Sequence, residues 1–176
     1  MFRALFLICS PIFFISILGC SSMNPQDFST VSPRFKVEEY FAGKTKGQGV
    51  FYDLFGDIKA RFKVELEGIQ EQDHFLLKET LRYDWGEVVN REYRFTVTGD
   101  NSYQVTAADL VGPGTVESYG NTLRWNYRLK QKISGSIWTL SFDDWMFLQE
   151  DGLVLNRAYA RKFGITLGEV FMVVSK

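Results

Sequence analysis

The chain is poor in the side chains on which most catalytic and metal chemistry is built. Its 176 residues include two cysteines, one histidine and four prolines. The single histidine, His74, cannot supply the two or more His or Cys ligands that zinc sites usually require. Without a thiol beside it, most hydrolytic triads cannot be assembled either. His74 follows Gln72-Asp73 at the start of an apolar stretch and reads as a solvated turn residue. No Gly-x-Ser-x-Gly elbow is present. Gly47-Gln48-Gly49 and Gly112-Pro113-Gly114 lack the third glycine and following helix of a nucleotide loop, so they read as turns. The expectation is a protein without enzymatic activity, cofactor or metal; only a carboxylate-based mechanism stays open. Positive charge is not in excess: 20 Lys and Arg face 21 Asp and Glu, a net charge of −1. That balance argues against nucleic acid as a partner.

Long apolar runs are also missing. The longest, Leu5 to Leu18, is interrupted by Ser10, Pro11 and Ser16. It falls short of the ~20 residues that span a bilayer as a helix. Behind the single positive charge of Arg3, it has the form of a signal-peptide core. It ends in Ile17-Leu18-Gly19-Cys20, which resembles the bacterial lipobox: an aliphatic residue, a small residue, then the cysteine whose sulfur takes a diacylglyceryl group. Cleavage before Cys20 would leave 176 − 19 = 157 residues carrying 19 basic and 21 acidic side chains, since Arg3 is the one charge lost. Cys20 would then be the only cysteine, so no disulfide is available in an oxidising compartment. Two lipid signals suffice for stable attachment to a membrane. Ser21, rather than Asp, follows Cys20, which by resemblance to lipoprotein sorting places the domain in the periplasm, anchored to the outer membrane.

Residues 20–33 are rich in Ser, Asn, Pro and Gln and read as a lipidated tether. Residues 34–176 form the domain. Phe35, Val37, Tyr40 and Phe41 fit one short N-terminal helix ending near Gly43. Beyond it, period 2 dominates. Ile58, Ala60, Phe62, Val64 and Leu66 share one face of a strand, while Lys59, Arg61, Lys63, Glu65 and Glu67 share the other. Comparable segments fall near 49–55, 74–83, 89–98, 102–111, 122–130, 136–148, 153–161 and 166–174, separated by turn signals such as Asp84-Trp85-Gly86 and Asp151-Gly152. About nine consecutive strands with one apolar face each predict an all-β, antiparallel up-and-down meander. Free edges are avoided if it closes into a lipocalin-like barrel; a two-sheet sandwich is the other solution. The charged outer face of 58–67 argues against a membrane-spanning barrel, whose polarity is reversed.

Five charges break the alternation, and four of them combine into acid–base pairs. Glu79 falls on the apolar face of 74–83 and Arg91 on that of 89–98. Pairing Tyr83 with Val89 makes Glu79 and Arg91 diagonal neighbours. Asp144 falls on the apolar face of 136–148, and the next strand reads Leu153, Leu155, Arg157, Tyr159, Arg161. Pairing Leu148 with Leu153 sets Asp144 opposite Arg157. Charges on a buried face are costly unless paired. Two readings stay open: ion pairs that fix strand register, or a polar end to a greasy cavity, where an arginine meets the head of a lipid-like ligand. A catalytic Glu79 or Asp144 is a third.

Several strings are familiar together: Glu39-Tyr40-Phe41-Ala42-Gly43-Lys44, Ala108-Asp109-Leu110-Val111-Gly112, Asp143-Asp144-Trp145-Met146, Asn156-Arg157-Ala158 and Lys162-Phe163-Gly164. They resemble a family of Gram-negative lipoproteins classed as a domain of unknown function, over roughly residues 35–176. The resemblance implies a calycin-like barrel, an envelope location and a link to membrane-lipid modification or stress response. It supplies no catalytic residue. Two functions are therefore expected: a lipid-anchored barrel binding a hydrophobic ligand, or a structural or assembly lipoprotein binding a protein partner.

Overall fold

A computed structural model describes residues 23–133 and 135–176. The signal segment 1–19, Cys20 and the first residues of the tether lie outside the described residues. Ten strands run β1 (Gly43–Asp53), β2 (Ile58–Gln70), β3 (Phe75–Tyr83), β4 (Val88–Gly99), β5 (Ser102–Thr106), β6 (Gly114–Tyr119), β7 (Thr122–Ile133), β8 (Ser136–Leu148), β9 (Val154–Lys162) and β10 (Ile165–Ser175). Each pairs antiparallel with the next, and β1 pairs antiparallel with β10 from Lys46↔Ser175 to Asp53↔Gly168. The meander therefore closes into a barrel, as the alternation predicts.

Closure with every pair antiparallel requires an even number of strands, which nine could not satisfy. The uncounted strand is β6. Its inward positions are Gly114, Val116 and Ser118, so a single large apolar side chain marks its inner face. The segment read as one strand over 102–111 ends at Thr106, and the loop that follows folds back along β7 through Val111 N–H to the Arg128 carbonyl.

Alternation sets the wall. Along β2, Ala60, Val64 and Leu66 are buried, while the five charged positions between Lys59 and Glu67 are exposed. The outer face of this strand is therefore a water-facing surface. Inside, Val64, Leu77, Phe95, Val105, Val116, Trp125, Leu129 and Val174 belong to one continuous apolar cluster. Trp125 is at its centre, edge-on to Tyr93 at 5.0 Å and tilted against Phe95 at 5.5 Å.

The two ends differ. Helix α1 (Val37–Tyr40) is a single turn that caps one end. Phe35, Val37, Tyr40 and Phe41 are buried in the core. The Phe35 N–H donates to the Gly120 carbonyl at 2.7 Å, and the Ser118 hydroxyl donates to the Phe35 carbonyl. The Tyr103 hydroxyl donates to Glu38 at 2.7 Å. The Tyr40 hydroxyl reaches the carbonyls of Gly152 at 2.9 Å and Val174 at 3.2 Å. Gly68 admits the Phe41 carbonyl so closely that a Cβ there would collide with its oxygen. This plug thus ties together the hairpins around one rim. The interior side chains that remain partly exposed are Phe62, Tyr83, Val89, Tyr127, Phe142 and Met172, set mainly towards the opposite end. The barrel is thus sealed by the plug at one end and less completely covered at the other.

The stretch read as a tether is partly folded. Pro25–Phe28 forms a 3-10 turn, Pro25 is buried, and Phe28 packs on Phe147 at 5.7 Å. Burial pushes the Tyr40 phenol, helped by Asp151, up to about 12, so it remains a donor at any ordinary pH. Tyr40→Phe deletes the donor and strands two carbonyls. A loss of about 1–2 kcal/mol in urea unfolding is expected, with the barrel otherwise retained.

Candidate functional site

The inward charges gather halfway along the barrel. Glu79 and Arg91 are directly opposed in the β3–β4 register, not diagonal. The four-residue turn 84–87, closed by the Tyr83 N–H to the Glu87 carbonyl, pairs Leu81 with Val89 and shifts the register by two. A shift of two keeps both side chains on the inner face. Arg91 donates from Nη1 to Glu79 Oε2 at 3.0 Å. Its Nε donates to Asp109 Oδ2 at 2.7 Å. The Arg91 side chain is 10 % exposed, so one guanidinium is held between two carboxylates with little water. Tyr93 adds a longer contact to Glu79 Oε2, at 3.4 Å.

Asp109 is the member that sequence reasoning missed. The signal was present: counting by twos from Tyr103 and Val105 lands on it. The strand ends at Thr106, but the returning loop still points Asp109 inward.

Asp144 also faces inward and is buried, but Arg157 is not its partner. Leu148 pairs with Val154, not Leu153, so Asp144 opposes Ala158. The cause is the connection Gln149–Leu153, closed by the Gln149 N–H to the Leu153 carbonyl, with Gly152 at φ 83°. This one-residue slip turns every β9 side chain to the other face. Val154, Asn156, Ala158 and Ala160 point inward. Arg157 lies outside, its side chain 53 % exposed, bound to Glu169 on β10 at 2.7 Å and stacked over Tyr159. The expected Asp144–Arg157 pair is therefore absent, and Arg157 does not belong to the interior site. Asp144 instead accepts from the amide of Asn156, which also reaches the Trp145 carbonyl at 3.2 Å.

Among the described residues, no cation neutralises Asp144. Burial drives its carboxyl up to about 7, with Asp143 and Glu79 adding repulsion against the Asn156 hydrogen bond. Neighbouring Asp143 is on the outer face. Burial raises it too, but Arg124 at 2.8 Å and Arg161 at 3.3 Å outweigh that and hold it below the usual range. Burial also lifts the phenols of Tyr93 and Tyr127 well above 10, reinforced by Glu79 and by Asp144 respectively. Both stay protonated. The Trp125 indole N–H is buried without a partner among the described residues.

The arrangement is a small polar island in an apolar barrel, with one fixed cation, two carboxylates beside it and one acid that is neutral over much of the accessible pH range. Of the proposed residues, Glu79 and Arg91 come together there, while Asp144 faces the same interior from β8, near enough to Glu79 to feel its charge. His74 is not a freely solvated turn residue. Its side chain is 10 % exposed, with Nδ1 2.6 Å from Asp73 and Nε2 3.3 Å from Glu71 in the β2–β3 turn. Among the described residues, no group of three His, Cys, Asp or Glu side chains is disposed to hold a metal ion.

Two outcomes follow. Arg91→Met leaves two half-buried carboxylates uncompensated and is expected to cost about 2–3 kcal/mol in denaturant unfolding. Pairing it with Glu79→Gln should recover part of that loss. Asp144 has a folded pKa above its unfolded value, so the fold favours its neutral form. That contribution is complete below the ordinary value of 3.8 and is lost as pH rises through about 7. A tenfold change in proton affinity is worth about 1.4 kcal/mol, so the loss amounts to a few kcal/mol. Urea unfolding at about pH 5 and about pH 8 should show the larger part of this loss in the native chain and a much smaller change in Asp144→Asn.

No curated protein matches this chain. A family model described as protein of unknown function (DUF3833) matches residues 14–176. That match covers nearly the whole sequence, and the chain belongs to the DUF3833 family.

Proposed function

We propose that the protein is a lipoprotein, held to the periplasmic face of the outer membrane through acyl chains on Cys20, whose barrel takes up a hydrophobic, lipid-like ligand in envelope lipid homeostasis or stress response. The observation that carries the ligand reading is the gradient of burial along the barrel. Side chains near the plug are sealed, whereas Phe62, Tyr83, Val89 and Phe142 towards the mouth stay partly exposed. An apolar mouth above a few fixed polar groups is how small-molecule sites are generally built.

The polar island constrains the ligand's head. Arg91 is already engaged by Glu79 and Asp109, so a ligand carboxylate or phosphate would have to displace one of them. Ionised Asp144 would add a further negative charge. An uncharged head group that donates hydrogen bonds suits this interior better than an anion. The alternative function, a structural lipoprotein that docks a protein partner, draws on the plug half of the barrel, where a continuous apolar cluster fills the interior.

The tether also matters. Pro25 is already packed against the domain, so only residues 21–24 separate it from Cys20. At ~3.5 Å per residue, that is ~15 Å of reach. An anchor this short would hold the plugged end of the barrel against the bilayer surface, with the mouth pointing away from it.

Native mass spectrometry on protein gently extracted from membranes is expected to show a non-covalent adduct of lipid-like mass. The adduct should be depleted by Tyr83→Ala combined with Phe142→Ala. An adduct-free protein that also fails to bind phenylnaphthylamine, a neutral apolar probe, would overturn the ligand reading. Separately, Cys20→Ser should leave an uncleaved precursor lacking acyl mass.

A further inference from the structure

The turns at the two ends of the barrel differ sharply in chemistry. Those at the plug end read Glu71-Gln72-Asp73-His74, Asp100-Asn101, Gly120-Asn121 and Gln149-Glu150-Asp151-Gly152, all polar. At the open end, four hairpins project large apolar side chains into water. Phe163 is 93 % exposed, Phe55 83 %, Ile137 74 %, Ile165 66 %, Leu54 58 % and Trp85 55 %. The fifth connection at that end, 107–113, folds back against β7 and buries Leu110. The projecting tips thus form a crown around the mouth.

The Phe163 tip sits in a defined turn. Phe163 at φ 52° and Gly164 at φ 80° are the two left-handed positions of a two-residue hairpin, and Phe163 is the one described non-glycine residue with a positive φ. Asn, Asp or Gly is the usual residue at such a position, so a bulky aromatic there is a costly choice.

We propose that this crown, at the end away from the Cys20 anchor, is a docking surface for a second lipid bilayer facing the one that holds the acyl chains, into which the tips sink so that the barrel mouth faces the lipid. The tips are on separate hairpins, and such isolated projections suit a deformable apolar medium better than one rigid protein face. Aromatic rings are the side chains favoured at the membrane interface. Charge supports an anionic surface on one side of the crown. Lys130 and Lys132 on β7 and Lys162 on β9 flank the Ile137 and Phe163 tips. Lys162 lies 3.5 Å above the Trp138 ring. The opposite side carries Asp53, Asp57, Asp84 and Glu87 beside Lys59 and Arg61, so contact with anionic lipid is strongest along β7–β10. Docking goes beyond ligand uptake and does not require it.

Trp85 is a native reporter. The full chain, its acyl chains held in unbrominated phosphatidylcholine vesicles, would be mixed with vesicles of phosphatidylethanolamine and phosphatidylglycerol whose acyl chains are brominated. Quenching of tryptophan emission is expected, and Trp85→Phe should remove the quenched component. Phe55→Ser with Phe163→Ser should weaken the quenching at matched lipid, shifting the half-effect by about tenfold in lipid concentration, the equivalent of about 1.4 kcal/mol. Ile69→Ser with Val97→Ser, exposed apolar positions away from the crown, should leave it unchanged. Equal quenching in the native chain and Trp85→Phe, or full access of Trp85 to aqueous iodide on vesicles, overturns the proposal, including in favour of a protein-docking crown. Because every substituted side chain is exposed, unchanged thermal unfolding serves as the control for folding.

Discussion

The pairing of β1 with β10 is the constraint from which the rest of the structure follows. It removes the last free edges from the sheet and so determines that the chain is a barrel and not a sandwich. Because every neighbour is antiparallel, it also fixes the number of strands as even. All odd-to-even connections then lie at one end and all even-to-odd connections at the other, together with both ends of the barrel sequence. The segment preceding β1 is therefore free to fold across only one opening. That is where Phe35 to Phe41 is found, bonded to the turns at Gly120 and Gly152 and to the end of β10. One sealed end and one less covered end are a consequence of closure and of where the chain enters.

The same closure gives the interior charges their meaning. A ten-stranded wall shuts out most water, so a lone guanidinium within it would be prohibitively costly. Arg91 is stable there because Glu79 is opposed to it across the ladder and Asp109 is supplied by a loop that substitutes for wall between the short strands β5 and β6. The pair of carboxylates outnumbers the cation, and Asp144 responds to the same low-dielectric interior by favouring its proton. Ion pairing and proton uptake thus solve one problem in two ways within one barrel interior. The first fixes register, and the second makes the fold sensitive to pH.

The elements that period 2 could reveal were legible in the sequence. β2 shows five apolar and five charged positions in strict alternation, and the barrel follows from repeating that pattern. β6 was illegible because a glycine and a serine occupy two of its three inward positions. Register was legible only to within the length of a turn. Where the error was two residues, Glu79 and Arg91 stayed on the same face. Where it was one, at β8–β9, Arg157 changed sides. The misleading feature was composition: Leu153, Leu155 and Tyr159 look like a core face, yet the true inner face is built from Asn156, Ala158 and Ala160, small enough to lie against Asp144 and the aromatic core. An outward Leu or Tyr on a barrel is ordinary, whereas an inward large side chain must find volume, so the smaller face is the better guess when two faces compete.

Asymmetry of the ends bears on how the molecule would be oriented. Strands β7 to β10 are long, and their open-end turns project Ile137 and Phe163, while β5 and β6 are short and their connection is folded down. The rim is thus uneven, highest around β7–β10 and β1–β4 and lowest at 107–113. A membrane met by the higher tips would leave the low side as a notch beside Asp109, the loop residue that reaches Arg91 from the wall. The polar island is therefore nearest to the outside on the side where the crown is lowest. A ligand entering there would meet the one part of the Arg91 cage that is held by a loop and not by a strand, and displacement of Asp109 is the smallest rearrangement that could free a guanidinium hydrogen bond without disturbing the β3–β4 ladder.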